Sequence, residues 1–143
     1  MTRVDFYVSP NNAEDASLHL ACRIVDKAWQ QQQRVYIHAA DAQQAGMLDD
    51  LLWQFRDGAF IPHCQSDSQL ASETPILIGC ETTPAQPAEV LINLGTEVPG
   101  FFSRFERVIE IVAGSEPSRA QARQRFKFYR ERGYPLETHE LNS

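Results

Sequence analysis

Residues 75–94 read PILIGCETTPAQPAEVLINL, two short apolar runs (75–80 and 90–94) on either side of a segment that holds Pro84 and Pro87. Short apolar runs without alternation are how strands buried on both faces of a sheet read. The prolines make the segment between them a turn or loop. Working outward, residues 3–8 alternate and are rich in β-formers, a first strand broken by Ser9-Pro10-Asn11-Asn12. From 13 to 33 the residues Leu18, Ala21, Val25, Ala28 and Trp29 recur at helical spacing. RVYIH at 34–38 predicts a second strand, and Asp41 leads into a helix through Met47, Leu48, Leu51, Leu52 and Phe55. A short strand is expected at 59–62, a polar loop at 64–74, a short helix at 98–105 and a further strand at 108–112 (VIEIV). Strands alternating with helices define an α/β domain with a central sheet, largely parallel or mixed, flanked by helices. The 143 residues, 43% of them hydrophobic, suit one domain spanning 1–143, with residues 137–143 expected to fray.

The last helix is marked at both ends. Residues 115–135 read SEPSRAQARQRFKFYRERGYP. Ser115 is an N-cap, Glu116 faces the positive end of the helix dipole, and Pro117 fits a first turn that needs no amide donors. Gly133 and Pro135 stop the helix. Arg119, Arg123, Phe126 and Arg130 fall at i, i+4, i+7 and i+11, with Lys127 beside them, which makes a basic stripe with an aromatic ring at its edge. Ala122, Phe126 and Tyr129 form an adjoining apolar strip suited to a core.

Charge locates this helix as a special feature. Residues 1–118 carry seven Lys and Arg against sixteen Asp and Glu, whereas residues 119–143 carry six against three. An acidic body repels a nucleic-acid backbone, so a long DNA track is disfavoured and a short anionic peptide is the better-sized partner.

Other chemistries find little support. The turn after the first strand, SPNNAED, has no glycine and two acids entering the helix, the opposite of a phosphate-binding turn. The pattern GxxxxGK[ST] does not occur, nor does GxSxG. His19, His38, His63 and His139 have no nucleophile at motif spacing, and His63-Cys64 reads as a strand-end pair, not a metal site. No catalytic, cofactor-binding or metal-ligating residue is assigned. Cys22, Cys64 and Cys80 are scattered without a CxxC pair, as in a reducing cytoplasm. No apolar run approaches a membrane span and the N-terminus carries no signal sequence. A second patch, LLWQFRDGAFIPH at 51–63, gathers Trp53, Phe55 and Phe60 at a helix-to-strand junction. With Leu48, Leu51, Leu52 and Phe55 turned inward, Trp53 is displaced from that face and suits a binding platform.

Together these blocks resemble the chi-subunit family of bacterial DNA polymerase III, almost end to end. DFYV at 5–8, Arg34-Val35, LDDLLWQF followed by AFIPH, ILI, VLINL and above all ARQRFKFYRERGY at 122–134 occur in the family's order. The resemblance implies a nucleotide-binding-like fold without a nucleotide site, and a non-catalytic accessory subunit of the replicase. It implies two partners: the psi subunit, which links chi to the clamp loader, and the acidic C-terminal tail of single-stranded-DNA-binding protein, which ends in a Pro-Phe carboxylate. A repair helicase is a further implied partner, and contact with DNA is only indirect. The family's tail-binding positions fall on Arg119, Arg123, Phe126, Lys127 and Val112, with Trp53 and Phe60 at aromatic positions of the same surface. Arg119 stands where familiar relatives have lysine and Phe126 where they have tyrosine, so a charge is kept and a phenolic hydroxyl is lost. Two other classes of function compete: direct binding of single-stranded nucleic acid through Phe126, Phe128 and Tyr129, and an α/β enzyme with a small anionic ligand.

Overall fold

A computed structural model describes residues 2–9, 14–54, 61–65, 68, 74–80 and 88–140. Among the described residues seven strands form one sheet: β1 (Arg3–Val8), β2 (Val35–His38), β3 (His63–Gln65), β4 (Ile76–Gly79), β5 (Val90–Asn93), β6 (Arg107–Val112) and β7 (Leu136–Glu140). They lie in the order β3-β4-β2-β5-β6-β1-β7 and every pairing is parallel. Helices α1 (Glu14–Gln30), α2 (Ala42–Gln54) and α3 (Glu116–Glu131) flank it.

The alternation of each strand decides which layer a side chain joins. Val35 and Ile37, Ile76 and Ile78, Val90 and Ile92, and Ile109 and Ile111 pack beneath α1 and α2, against Leu18, Ala21, Val25, Leu48 and Leu52. Val4, Phe6, Tyr36, Leu77, Leu91, Val108 and Val112 face the other way, against Ala122 and Tyr129 of α3 and Phe102 and Phe105. Strands covered on both faces have no polar face to show, which is why β4 and β5 read as continuous apolar runs.

Several boundaries move. The first helix ends at Gln30, and Gln32, at a φ of 61°, turns the chain toward β2. Pro62 lies outside a strand, and the edge strand begins at His63, taking Cys64 and Gln65 from the expected polar loop; residues 59 and 60 lie outside the described residues, as does Phe55. The helix expected at 98–105 is one 3₁₀ turn, Phe102–Arg104.

The largest correction concerns the segment expected to fray, 137–143: residues 136–140 pair with β1 as strand β7, and residues 141–143 lie outside the described residues. LETHE carries no apolar run, so nothing local marks it as a strand; it is ordered by the open edge of β1. Leu136 packs on the α3-side core, and the His139 ring stacks on Tyr7 at 4.6 Å between centroids. His139 Nε2 also lies 3.2 Å from Asp5 Oδ1. Asp5 itself is nearly fully buried, and Arg107 Nε donates to its Oδ2 at 2.8 Å. Burial alone raises the Asp5 pKa, but hydrogen bonds from Arg107 and His139 outweigh it and hold the carboxyl below its usual range. A depressed folded pKa means stability that is present above the unfolded value, about 3.9, and lost as pH falls through the folded one. Asp5→Asn is therefore expected to cost about 1.5–3 kcal/mol at neutral pH. In urea unfolding followed against pH, the gap between variant and wild type should close below about pH 4. A gap that persists unchanged at lower pH would mean that packing, not charge, sets the cost.

Candidate peptide-binding groove

Helix α3 forms as its ends foretell. Ser115 Oγ accepts from the Ser118 amide at 3.3 Å, Pro117 sits in the first turn, and Gly133 takes a positive φ of 81° just past the end. The helix lies over β1, β6 and β7 and leaves a groove of about 170 Å³. Phe6, Val8 and Val112 make its floor, Ala122 and Phe126 one wall, and Thr138 of β7 the other side. Phe126 packs on Phe6 with ring centroids 5.5 Å apart. Arg119 and Arg123 line the same groove. The volume is below the roughly 300–1,000 Å³ of a drug-sized ligand site and suits one apolar side chain.

The two arginines are held differently. Arg119 Nε donates to the Gly114 carbonyl at 3.2 Å, which fixes the stem of a half-buried side chain and leaves its terminal nitrogens for a ligand. Arg123 is exposed, and its Nη2 donates to Glu116 at 3.0 Å. An exposed pair of this kind is weak and yields readily to a better anion. Lys127 is exposed, 3.9 Å from Glu131, and flanks the groove without lining it.

Trp53 is not brought to this groove. It is more than half exposed near the end of α2, which covers the opposite face of the sheet near the β3 edge. Its ring lies 4.7 Å from that of His63, with four strands between β3 and β1. The expectation that Trp53 shares a surface with Arg119 and Phe126 is thus corrected, because α2 and α3 follow strands whose crossovers lie on opposite faces. Phe60 lies outside the described residues.

A buried polar network fixes α3 above the sheet, and the sequence reading missed it. Glu110 of β6 is fully buried on the α3 side. Its carboxylate accepts from Arg125 Nε at 2.9 Å, from Asn93 Nδ2 at 3.0 Å and from the Tyr129 hydroxyl at 2.7 Å. Arg125 Nη1 donates further to the Thr96 carbonyl at 3.1 Å. Burial pushes the Glu110 pKa up, while Arg125 and the other donors pull it back toward ionisation. Burial and the neighbouring Glu110 push the Tyr129 hydroxyl up. Two signals were available: a lone acid inside the apolar run VIEIV, and Arg125 at i+3 from Ala122 and i−4 from Tyr129 on the inward strip. With Tyr129 fully buried and Phe128 covered by the Arg132 guanidinium at 3.7 Å, two of the three rings proposed as stacking platforms are engaged inside the fold.

The histidines fall to α1, β2, β3 and β7. Asp5, Glu137 and His139 bring ligand atoms within 4.8 Å of one another, the geometry of a cation site. Arg107 already occupies Asp5, with Arg3 at 3.6 Å, so the local charge disfavours a metal ion there. Among the described residues no helix is long and apolar enough to cross a membrane.

Sheet order and layers define the class first: the chain superposes on the C-terminal domain of the DEAD-box protein Dbp5 with a TM-score of 0.66, covering 96% of this chain and 90% of that one. Sequence identity there is 10%, so the match establishes a nucleotide-binding-like α/β fold and nothing about function. The particular family follows from sequence: residues 1–137 match the model of the DNA polymerase III chi subunit, HolC, and the chain belongs to that family. It is 47% identical to DNA polymerase III subunit chi of Pseudomonas aeruginosa, over 99% of this chain and 98% of the relative. The chi subunit of Haemophilus influenzae is 31% identical, with 93% of each chain covered, and that of Escherichia coli 29%, over 96% and 97%. The chain is thus a replicase accessory subunit of the DNA polymerase III chi type.

Proposed function

We propose that this subunit is a non-catalytic bridge: it holds the acidic C-terminal tail of single-stranded-DNA-binding protein in the α3 groove and joins the clamp loader through psi. The observation that carries this reading is an apolar groove of single-side-chain size with two guanidinium groups beside it, on an otherwise acidic protein. A terminal Phe ring fits the floor of Phe6, Val8 and Val112, and its carboxylate suits the fork of Arg119 or Arg123. The acids preceding it are drawn by the remaining cations of α3. So small a contact suits micromolar affinity, about 8 kcal/mol, and several tails on one partner raise it by avidity. Weak contacts let a replicase travel along coated DNA without being trapped.

Psi needs a larger and more apolar contact. Trp53, the large apolar side chain exposed among the described residues, is its best anchor, on the face away from α3. A bridge works only if its two partners do not compete, and this separation allows that.

A short acidic peptide ending in Phe tests the groove. Its affinity should fall as salt rises, and amidating its C-terminus or removing the Phe should weaken binding at least tenfold, roughly 1.4 kcal/mol. Unchanged affinity on amidation would rule out the carboxylate clamp. In the same titrations, Arg123→Ala should lose affinity with its melting temperature nearly unchanged, since an exposed ion pair adds little to folding. A large fall in melting temperature would instead assign Arg123 to the fold.

A further inference from the structure

A cavity between the carboxyl ends of β2 and β5 lies away from both proposed interfaces. After β2 the chain leaves for α2 on one face and toward the β3 edge; after β5 it leaves on the other face toward β6. Adjacent parallel strands whose connections depart in opposite directions open a crevice at their carboxyl ends, where ligands of open α/β sheets bind. Here that crevice measures about 610 Å³, within the range of small-molecule sites.

The lining has a definite chemistry. His38 ends β2 and packs edge-on against Phe101, ring centroids 5.5 Å apart. Gly95 passes close over it: a Cβ there would come within 3.7 Å of His38 Cδ2 and 3.3 Å of Asn93 Oδ1. His38 Nδ1 is buried and has no hydrogen-bond partner among the described residues. Burial lowers the pKa of the ring, which is therefore neutral at neutral pH. A sealed N–H costs more than a sealed lone pair, so the proton belongs on Nε2 of this crevice-lining ring. Thr96, Glu97, Ser103 and Arg104 add hydroxyls and both signs of charge. The neighbouring α2 N-terminus is already occupied: Asp41 Oδ1 accepts from the Gln44 amide at 2.8 Å, and Gln44 Oε1 accepts from the Ala40 amide at 2.7 Å. A carboxylate in that place repels a phosphate.

We infer that this crevice is a second binding site, for a neutral nitrogen heterocycle of nucleobase size. One face of the heterocycle lies along Phe101, and its edge bonds to His38 Nε2 and the hydroxyls of Thr96 and Ser103. An aromatic flank with mixed donors and acceptors is how proteins hold an unstacked base. Two sources carry that chemistry, a free nucleoside and a base on a single strand.

Amide NMR titrations of the full chain distinguish them. Adenosine or thymidine should shift amides around His38 and residues 95–101 saturably, with a Kd near about 1 mM. ATP should bind no more tightly than adenosine, and inorganic phosphate should leave those amides unmoved. Oligo-dT acting on the same amides at lower concentration identifies the strand as the source; nucleoside alone identifies the free compound. His38→Phe keeps the ring packed on Phe101 and should weaken binding at least tenfold, and Thr96→Val should weaken it too. Each variant should keep a dispersed spectrum and the tail peptide's affinity. The inference is overturned if nucleosides leave these amides unmoved, if phosphate alone shifts them, or if both variants bind as the wild type does.

Discussion

Arg125→Ala is expected to destabilise the chain by about 3–5 kcal/mol, the cost of leaving a buried charge without its partner. Its side chain is 5% exposed and that of Glu110 is 0% exposed, so both members of the pair are held out of water. Two further donors, Asn93 and Tyr129, remain on Glu110, which keeps the loss from being larger. Glu110→Ala should cost a similar amount, since it strands Arg125 and the Tyr129 hydroxyl together. Removing both charges through Glu110→Leu and Arg125→Met should restore part of the loss, because paired burial yields little net stability over an apolar pair of like volume, while the stranded Tyr129 hydroxyl keeps the remainder. Urea unfolding of the single and double variants measures the coupling. Single losses below about 1 kcal/mol would show that the network is not what seats α3.

The second large effect separates the partners. The double variant Arg119→Ala, Arg123→Ala should lose the tail peptide by about a hundredfold, two charge-assisted contacts of roughly 1.5 kcal/mol each, while still binding psi. Trp53→Ala should do the reverse, weakening psi by about 2 kcal/mol or more, some thirtyfold, with the tail affinity unchanged. Titrating the peptide into a preformed complex with psi should return the affinity measured without psi. Displacement of psi by the peptide, or loss of both partners in either variant, would remove the bridge as a mechanism for this protein.

Much of the fold was legible because its signals are local. The apolar runs of β4 and β5, the period of α1 and the caps of α3 each arise within one segment, where hydrophobic spacing and backbone chemistry act alone. The basic stripe was legible for the same reason, since residues at i, i+4 and i+7 share a helix face whatever the helix packs on. Order, parallel pairing and layers followed only as a class.

What the amino-acid sequence determined by itself is therefore the α/β class, the family, the ends of α3 and the cations it presents. Tertiary structure alone decided three things. Strand β7 exists because β1 offers an unpaired edge and because Asp5 and Tyr7 hold His139, contacts more than a hundred residues apart. Arg125, placed on the inward strip by helical spacing, meets Glu110 because the fold lays α3 over β6, whereas Arg123 stays exposed with Glu116 of its own helix. Trp53 parts company with Phe126 because crossovers on opposite faces carry α2 and α3 to opposite layers, and a sequence orders residues along the chain without saying which face of the sheet each helix covers.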